Sequence, residues 1–199
     1  MLIEIEKNNK IKLIEAFSDT HGRHRELCHL SESADMIICA GDVCYLERET
    51  QLRDFFTWFA EQPAKHKIFV PGNNDSPYDH KYIKQFIPDN IIYIENGRIT
   101  IDDINFYILP VRTRLDNKML LPTNVDILIT HAPPFGILDS MLGYYNRGCK
   151  TLLEMVNESQ PRIHIFGHCH EHGGEKITIG KTTFYNVALY NKKRTSYNS

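Results

Sequence analysis

The sequence repeats one arrangement five times: a short apolar run, typical of a buried strand, leads directly into a polar loop. The runs cover residues 11–17, 36–40, 67–70, 125–130 and 162–166. The run at residues 36–40 is apolar throughout, which fits a strand that is buried on both faces of a sheet. In an open α/β sheet, ligands bind at the carboxyl edge, where such loops meet. The pattern therefore predicts an α/β fold with one binding edge.

The loops carry side chains that commonly bind divalent metal ions. In chain order they are Asp19, His21, Asp42, Asn73, His131, His168 and His170. Carboxylate oxygens and imidazole nitrogens are frequent metal ligands, and an amide oxygen is a hard, neutral one. Seven donors are too many for one tetrahedral site but suit two divalent ions about 3.5–4 Å apart, bridged by one carboxylate. Each loop alone has an ordinary explanation as a turn or helix cap; their succession favours a metal site.

The segments between these runs complete the prediction of secondary structure. Residues 49–60 have a helical apolar stripe formed by Leu52, Phe55, Phe56 and Phe59. Further helices are predicted over residues 24–31, 78–86 and 149–158, and further strands over residues 91–94, 98–101, 104–109, 176–179 and 182–186. The turn at Asp102 and Asp103 predicts a hairpin, so the sheet is expected to be mixed.

Two further expectations concern the N-terminal residues and the last of the five loops. Residues 1–6 and 11–17 are expected to form a hairpin that precedes the main sheet. Residues 167–170 are expected to be strand-like, with His168 and His170 on one side and Cys169 on the other.

Length and composition indicate a single domain over residues 1–199, with a polar tail from about residue 191. Net charge is -2, so the chain lacks the basic footprint of a protein that binds duplex nucleic acid. No apolar run is long enough for a membrane span, and the N-terminus does not have a signal-peptide pattern. Five cysteines without framework spacing favour a reducing compartment, and the expected location is cytoplasmic. Oligomeric state is not predicted.

The motifs together resemble those of the calcineurin-like metallophosphoesterase superfamily. They are Asp19-Thr20-His21, Gly41-Asp42, Gly72-Asn73-Asn74-Asp75, His131 and Gly167-His168-Cys169-His170. The usual pattern in that superfamily is D-x-H, G-D, G-N-H-D/E, H and G-H-x-H. The resemblance covers about residues 13–186. Residues 130–136, 148–149 and 166–171 look like the MPPED-type group of small phosphodiesterases, and the compact size is similar to the bacterial YfcE-like group.

This resemblance implies a four-layer α/β/β/α sandwich with mixed sheets and two divalent ions, for which Mn²⁺, Fe or Zn²⁺ are the candidates. One ion would be held by Asp19, His21, Asp42 and His170. The other would be held by Asp42, Asn73, His131 and His168, with Asp42 as the bridge. The implied reaction is direct attack on phosphorus by a hydroxide that bridges the ions, with Asp42, Asn73 and Asn74 as catalytic residues.

Asn74 departs from the superfamily pattern, which has a histidine at this position. An amide can donate a hydrogen bond but does not transfer a proton readily, and general acid catalysis typically contributes about 10²–10⁴-fold. The departure therefore favours activated diesters over alkyl phosphomonoesters. His24 is a candidate replacement for the missing acid, and Arg147 is a candidate contact to the phosphate, as are Arg112 and Arg114 in their loop.

Two functions remain open at the level of the sequence. The first is a two-metal phosphoesterase, with a small phosphodiester such as a nucleotide or cyclic nucleotide as the expected substrate and a phosphomonoester as the alternative. The second is a binding scaffold of the same fold with weak catalysis or none. Scaffolds of this kind typically lose histidine ligands, and all seven ligand positions are filled here. The filled positions favour the enzyme.

Overall fold

The computed structural model describes residues 1–27, 30–45, 49–75, 80–142 and 144–189. The predicted helices over residues 24–31 and 78–86 fall partly outside these ranges, at residues 28–29 and 78–79. The predicted polar tail from about residue 191 falls wholly outside them.

The first sheet contains five strands in the order β1-β2-β3-β4-β5. They are β1 (Leu2–Lys7), β2 (Lys10–Phe17), β3 (Met36–Cys39), β4 (His66–Phe69) and β5 (Ile92–Tyr93). Strands β2 to β5 are parallel, and β1 pairs antiparallel with β2. The predicted N-terminal hairpin forms, but the expectation that it precedes the main sheet is wrong. Its second strand is part of the parallel sheet because Ile14, Ala16 and Phe17 are buried there.

The second sheet contains six strands in the order β12-β13-β11-β8-β7-β6. They are β6 (Gly97–Ile101), β7 (Ile104–Ile108), β8 (Ile127–Ile129), β11 (Ile163–Phe166), β12 (Lys176–Ile179) and β13 (Thr182–Asn186). The inner four strands are parallel, and both edge strands are antiparallel. Asp102 and Asp103 both have positive φ, +48° and +66°, as a tight hairpin turn between β6 and β7 requires. The sheet is mixed, as predicted.

A short two-stranded ribbon stands apart from both sheets. It pairs β9 (Ser140–Met141) with β10 (Tyr145–Asn146) in antiparallel register. The sequence predicted only a loop here, because two-residue strands leave no periodic pattern.

Three helices and two 3₁₀ turns complete the described chain. The helices are α1 (Glu49–Ala60), α2 (His80–Lys84) and α3 (Lys150–Ser159), and the 3₁₀ turns are His24–Glu26 and His170–His172. Helix α1 has the bounds that the sequence predicted. The expectation that residues 167–170 are strand-like is wrong, because His168 has a φ of +66° and a 3₁₀ turn begins at His170. Among residues 1–27, 30–45, 49–75, 80–142 and 144–189, there is no helix of the length and apolarity that a membrane crossing requires.

The elements stack in four layers, as the resemblance implied. Between the two sheets lies an apolar core to which both contribute, formed by Ile14, Met36, Ile38, Ile68, Phe106, Ile127, Ile129 and Ile165. Helix α1 covers the outer face of the first sheet through Phe55 and Phe59, which pack with Phe17. Helix α3 covers the outer face of the second sheet through Leu152 and Met155. Each large apolar side chain buried in this way contributes about 1.5–3 kcal/mol to stability.

The two sheets bring their carboxyl edges to the same end of the sandwich. Backbone hydrogen bonds join the loops across the sheets: the N–H of Ser18, after β2, donates to the carbonyl of Val187, after β13, at 3.0 Å. The N–H of Gly167, after β11, donates to the carbonyl of His131, after β8, at 2.9 Å. The five donor-bearing loops of the sequence therefore converge on one site.

Candidate metal centre

Two groups of three potential ligands lie at this edge. Asp19, His21 and His170 form one group, and Asp42, His131 and His168 form the other; within each group, the ligand atoms all lie within 4.8 Å of one another. Six of the seven predicted donors fall in these two groups; the resemblance implied two sets of four that share Asp42, and Asn73 belongs to neither group. Carboxylate and imidazole in this ratio suit Mn²⁺, Fe or Zn²⁺ rather than Ca²⁺.

The second group contains a buried nitrogen that lacks a hydrogen-bond partner. The Nδ1 of His131 lies 2.7 Å from the carbonyl oxygen of Ala40, so Nδ1 carries the proton that it donates to this carbonyl. Its Nε2 is buried, lies 3.4 Å from Oδ2 of Asp42, and has no hydrogen-bond partner among the described residues. An imidazole oriented in this way presents Nε2 to a cation, which would replace the proton on that nitrogen.

The first group is oriented in a similar way. The Oδ2 of Asp19 accepts hydrogen bonds from the hydroxyl of Ser18 and the N–H of His168, the latter at 2.9 Å. Its other oxygen, Oδ1, lies 3.1 Å from Nε2 of His170 and 3.9 Å from Nε2 of His21. The Nδ1 of His21 lies 3.3 Å from the carbonyl of Cys44. One carboxylate oxygen and two Nε2 atoms therefore face each other, as the ligands of a shared cation would.

Asn73 and Asn74 complete the wall between the groups. The Oδ1 of Asn73 is buried and has no hydrogen-bond partner among the described residues. An unpaired buried amide oxygen is unfavourable unless a cation or water satisfies it. Asn74 instead turns toward the second group, since its N–H and its Nδ2 donate to the two carboxylate oxygens of Asp42 at 2.8 and 2.6 Å.

The backbone at the site is held in a conformation that most residues avoid. Asp19, His21, Asp42 and His168 have φ values of +56°, +45°, +56° and +66°. Non-glycine residues in this left-handed region are uncommon, and they cluster where the surrounding structure fixes a functional loop. The many buried hydrogen bonds of the loops offset this strain.

The loops also approach more closely than side chains would allow. A Cβ on Gly72 would collide with Oδ1 of Asp42, and a Cβ on Gly167 would collide with Oδ2 of Asp19 and with Ser18. Glycine is therefore required at both positions, and each one brings a loop against a candidate ligand.

Asp75 ties two of these loops together. Its buried carboxylate accepts backbone hydrogen bonds from Asp42, Val43 and Gly72 at 2.7, 2.8 and 2.8 Å, and a longer one from Cys44 at 3.2 Å. Burial and the nearby Asp42 raise the pKa of Asp75 to about 6. The sequence placed Asp75 in a motif without giving it a role; the structure shows that it positions the Asp42 loop.

The electrostatics of the donors favour binding of a cation. Burial opposes protonation of His131, but the Asp42 carboxylate outweighs burial and raises the pKa of His131 to about 10. Burial would raise the pKa of Asp42, yet the same pairing with His131 keeps it below its usual value. Burial lowers the pKa of His168 to about 4, which leaves that ring neutral. The carboxylates of the site thus stabilise a positive charge next to them.

A cavity of about 350 Å³ opens directly over the two groups. The candidate ligands His21, Asp42, Asn73, His168 and His170 line it together with Asn74. Its remaining wall consists of Tyr45, Met141, Leu142 and Glu171, none of which was predicted to be a site residue. Met141 and Leu142 could not be predicted, because the ribbon at these residues has no sequence pattern and only the fold brings it to the site.

His24, the candidate replacement for the missing acid, lies elsewhere. Its ring is fully buried, with ring centroids 5.1 Å from Trp58 and 5.5 Å from Phe55, and its Nε2 lies 3.1 Å from Asp54 on helix α1. It does not line the cavity. A proton-transfer role for His24 is therefore not supported, since the ring packs in the apolar layer behind the loops.

The arginine candidates also lie away from the cavity wall. Arg147 is exposed, and its described hydrogen bond is a backbone one to Asp139 at 2.9 Å. Arg112 pairs with Glu95 at 2.6 Å, and Arg114 is 82% exposed beside Asp116. Cys169 is buried and donates to the carbonyl of Asp139 at 3.3 Å, so it is directed away from the donors, as predicted.

Comparison with known proteins places these features in a family. A family model described as calcineurin-like phosphoesterase matches residues 14–172. The human metallophosphoesterase domain-containing protein 1 is 29% identical over 86% of this chain and 64% of its own length. A UPF0046 protein of Caenorhabditis elegans is 31% identical over 88% of this chain and 69% of its own length. The chain thus spans about two thirds of the length of these relatives.

Solved structures of low sequence identity share the fold. A phosphopantetheinyl hydrolase of Mycobacterium tuberculosis superposes with a TM-score of 0.67 at 14% identity, covering 94% of this chain and 92% of its own. The TT1561 protein of Thermus thermophilus superposes with a TM-score of 0.56 at 13% identity, covering 87% of this chain and 89% of its own. At these identities the likeness concerns the fold alone.

Proposed function

Since the chain belongs to the calcineurin-like phosphoesterase family, we propose that it is a metal-dependent phosphodiesterase with a two-ion centre. The observation that supports the proposal best is the pair of adjacent donor groups, together with two buried ligand atoms, Nε2 of His131 and Oδ1 of Asn73, that have no hydrogen-bond partner in the described part of the chain. Buried polar atoms are normally paired. The residues present therefore fit a centre that holds cations.

In this proposal, Asp19, His21 and His170 would hold one ion, His131, His168 and Asn73 would hold the other, and Asp42 would be a ligand of both. When bound, the ions supply a hydroxide nucleophile at neutral pH and neutralise the charge that grows on the phosphoryl oxygens. The mixed nitrogen and oxygen donors favour Mn²⁺, Fe or Zn²⁺ as the bound metal.

The side chains of this chain then position the reacting group. Asn74 lines the cavity, and its Nδ2 donates a hydrogen bond to Asp42. If that hydrogen bond is broken, Nδ2 can donate to a phosphoryl oxygen instead. Asp75 keeps the Asp42 loop in its strained conformation. Neither His24, which is buried elsewhere, nor the three lining histidines, which belong to the donor groups, replaces the missing acid.

The absence of an acid at Asn74 favours diesters with good leaving groups, because a poor alkoxide leaving group needs a proton. Small phosphodiesters, with nucleotides and cyclic nucleotides among them, are the proposed substrate class. A phosphomonoesterase is the second candidate. A binding scaffold without catalysis is the third, and the complete donor set argues against it.

The test is hydrolysis of bis-p-nitrophenyl phosphate by the protein loaded with Mn²⁺. Asp42→Ala should retain no more than a few per cent of the wild-type kcat, since it removes the proposed bridge. Asp116→Ala is the matched control, because that carboxylate is 85% exposed in a surface loop and should leave turnover unchanged. Absence of hydrolysis by the wild type, with both ions bound, would instead support the scaffold.

A further inference from the structure

The wall of the cavity that faces the two donor groups is largely apolar. It is formed by Met141 and Leu142 from the β9–β10 ribbon and by Tyr45 from the loop after β3. Leu142 is 60% exposed and Tyr45 is 52% exposed, so they are available to a ligand in the cavity rather than buried in the core. Exposed apolar groups gathered at one site mark a binding surface more often than chance. We call Met141, Leu142 and Tyr45 the apolar wall.

The ribbon is fixed to the turn that carries His170. The N–H of Leu142 donates to Oε1 of Glu171 at 3.2 Å. The Oγ of Ser140 lies 2.6 Å from Nε2 of His172, whose Nδ1 lies 2.8 Å from Glu175. These contacts hold Met141 and Leu142 over the metal centre before a ligand arrives. A preformed surface of this kind loses little conformational entropy on binding.

Glu171 adds a negative charge to the same cavity. Its carboxylate lines the wall beside the apolar residues, and none of the described residues lining the cavity is a lysine or an arginine. A phosphodiester carries one negative charge, whereas a phosphomonoester carries nearly two at neutral pH. In the loaded site the two divalent ions attract both ligands, and the Glu171 carboxylate offsets part of this attraction, more for the doubly charged monoester than for the diester.

We propose that the apolar wall binds an apolar or aromatic substituent of a monoanionic phosphodiester, and that Glu171 disfavours dianionic monoesters. The inference rests on the proposed function, because it assigns a substrate class to the same site. Tyr45 offers the face or edge of its ring to an aromatic substituent, and its own ring stands edge-on to His21 at 6.2 Å.

Equilibrium binding tests this selectivity without requiring turnover. Diphenyl phosphate and dimethyl phosphate have the same charge and differ only in their substituents, and phenyl phosphate adds the second charge. Calorimetry with Mn²⁺-loaded protein should show diphenyl phosphate binding at least about tenfold more tightly than dimethyl phosphate, the scale of discrimination by an apolar pocket. Phenyl phosphate reports the effect of Glu171 when its binding is compared between the wild type and a Glu171 variant.

Two variants with matched controls assign the effect to residues. Leu142→Ser should reduce the preference for diphenyl over dimethyl phosphate severalfold, whereas Leu120→Ser, at a position 84% exposed in another loop, should leave it intact. Glu171→Gln should strengthen phenyl phosphate binding relative to diphenyl phosphate by about fivefold at low salt, where charge repulsion is least screened. Glu4→Gln, on the exposed face of β1, should not change that ratio.

Equal binding of the diphenyl and dimethyl esters, or an unchanged ratio of phenyl to diphenyl phosphate binding in Glu171→Gln, would overturn the inference. Failure of the proposed function is a separate result. It would be seen as no hydrolysis of bis-p-nitrophenyl phosphate by protein with both ions bound, whatever the binding preferences are.

Discussion

The carboxylate of Asp75 accepts a hydrogen bond from the backbone N–H of Asp42 at 2.7 Å, so a buried acid holds the loop that presents the proposed bridging ligand. The same carboxylate binds the N–H groups of Val43 and Gly72. Two loops from neighbouring strands are therefore aligned by one side chain. The positions of the metal-binding candidates depend on this residue although it does not line the cavity.

Replacement of Asp75 by Asn should destabilise the fold even without metal. An amide that turns its NH2 toward a buried N–H leaves donors unpaired, and each such loss costs about 1–3 kcal/mol. Urea unfolding in EDTA measures the change, with the exposed Asp116→Asn as the control. A variant as stable as the wild type would show that relief of the repulsion between Asp75 and Asp42 outweighs the lost hydrogen bonds.

Divalent ions should stabilise the folded protein, and Asp42 should decide how many bind. Two ions per chain are expected for the wild type, one for His21→Ala and fewer than one for Asp42→Ala. At an ion concentration about 100 times its dissociation constant, each site adds about 2.7 kcal/mol to the free energy of unfolding. Metal analysis of purified protein and melting temperatures with Mn²⁺ or Zn²⁺ provide the two readouts. One ion bound equally by all three proteins would contradict the bridging role.

Asn74→His should raise the rate on esters with poor leaving groups more than on nitrophenyl esters. A general acid assists an alkoxide far more than a nitrophenolate, and the expected gain is up to about a hundredfold. The comparison is kcat/KM for an alkyl ester and a nitrophenyl ester in both proteins. If both values change by the same factor, position 74 only binds the phosphoryl group, and the leaving-group argument is mistaken.

His164 should make stability depend on pH. The ring is fully buried beside Phe166 and Phe184, and burial lowers its pKa to about 3. The unfolded chain therefore takes up a proton below its ordinary pKa of about 6.5, while the folded chain does not until near pH 3. The contribution of His164 to the free energy of unfolding is therefore complete above the pKa of the ring in the unfolded chain. It is lost as the pH falls, by about 2 kcal/mol between pH 7 and pH 5.

The check is urea unfolding of wild type and His164→Leu at pH 7 and pH 5 in EDTA. Other titrating groups are common to both proteins, so the difference between their pH dependences isolates His164. The variant should lose less stability on acidification than the wild type. Parallel losses in the two proteins would rule out a buried neutral ring at this position.

The sequence predicted best the helices and strands that have an apolar periodicity and the potential metal ligands that follow such strands. The apolar stripe of α1 and the run of Ile127 to Ile129 predicted their elements, because burial of one face or of a whole strand imposes a periodicity that can be read directly. The donor residues could be identified because each follows such a strand, and parallel strands place their carboxyl ends along one edge. Whether those donors ligate metal stays a prediction.

Only the tertiary structure determined how the loops meet. The sequence contains His24 and Leu142 with nothing to show that the first is buried behind α1 and the second lies over the donors. The left-handed backbone of His168 replaced the expected strand because the loop after β11 must hydrogen-bond to Asp19 from another sheet. Contacts between residues 149 positions apart have no local pattern. Local sequence fixes strand and helix propensity, whereas packing of the two sheets decides which loops share a site.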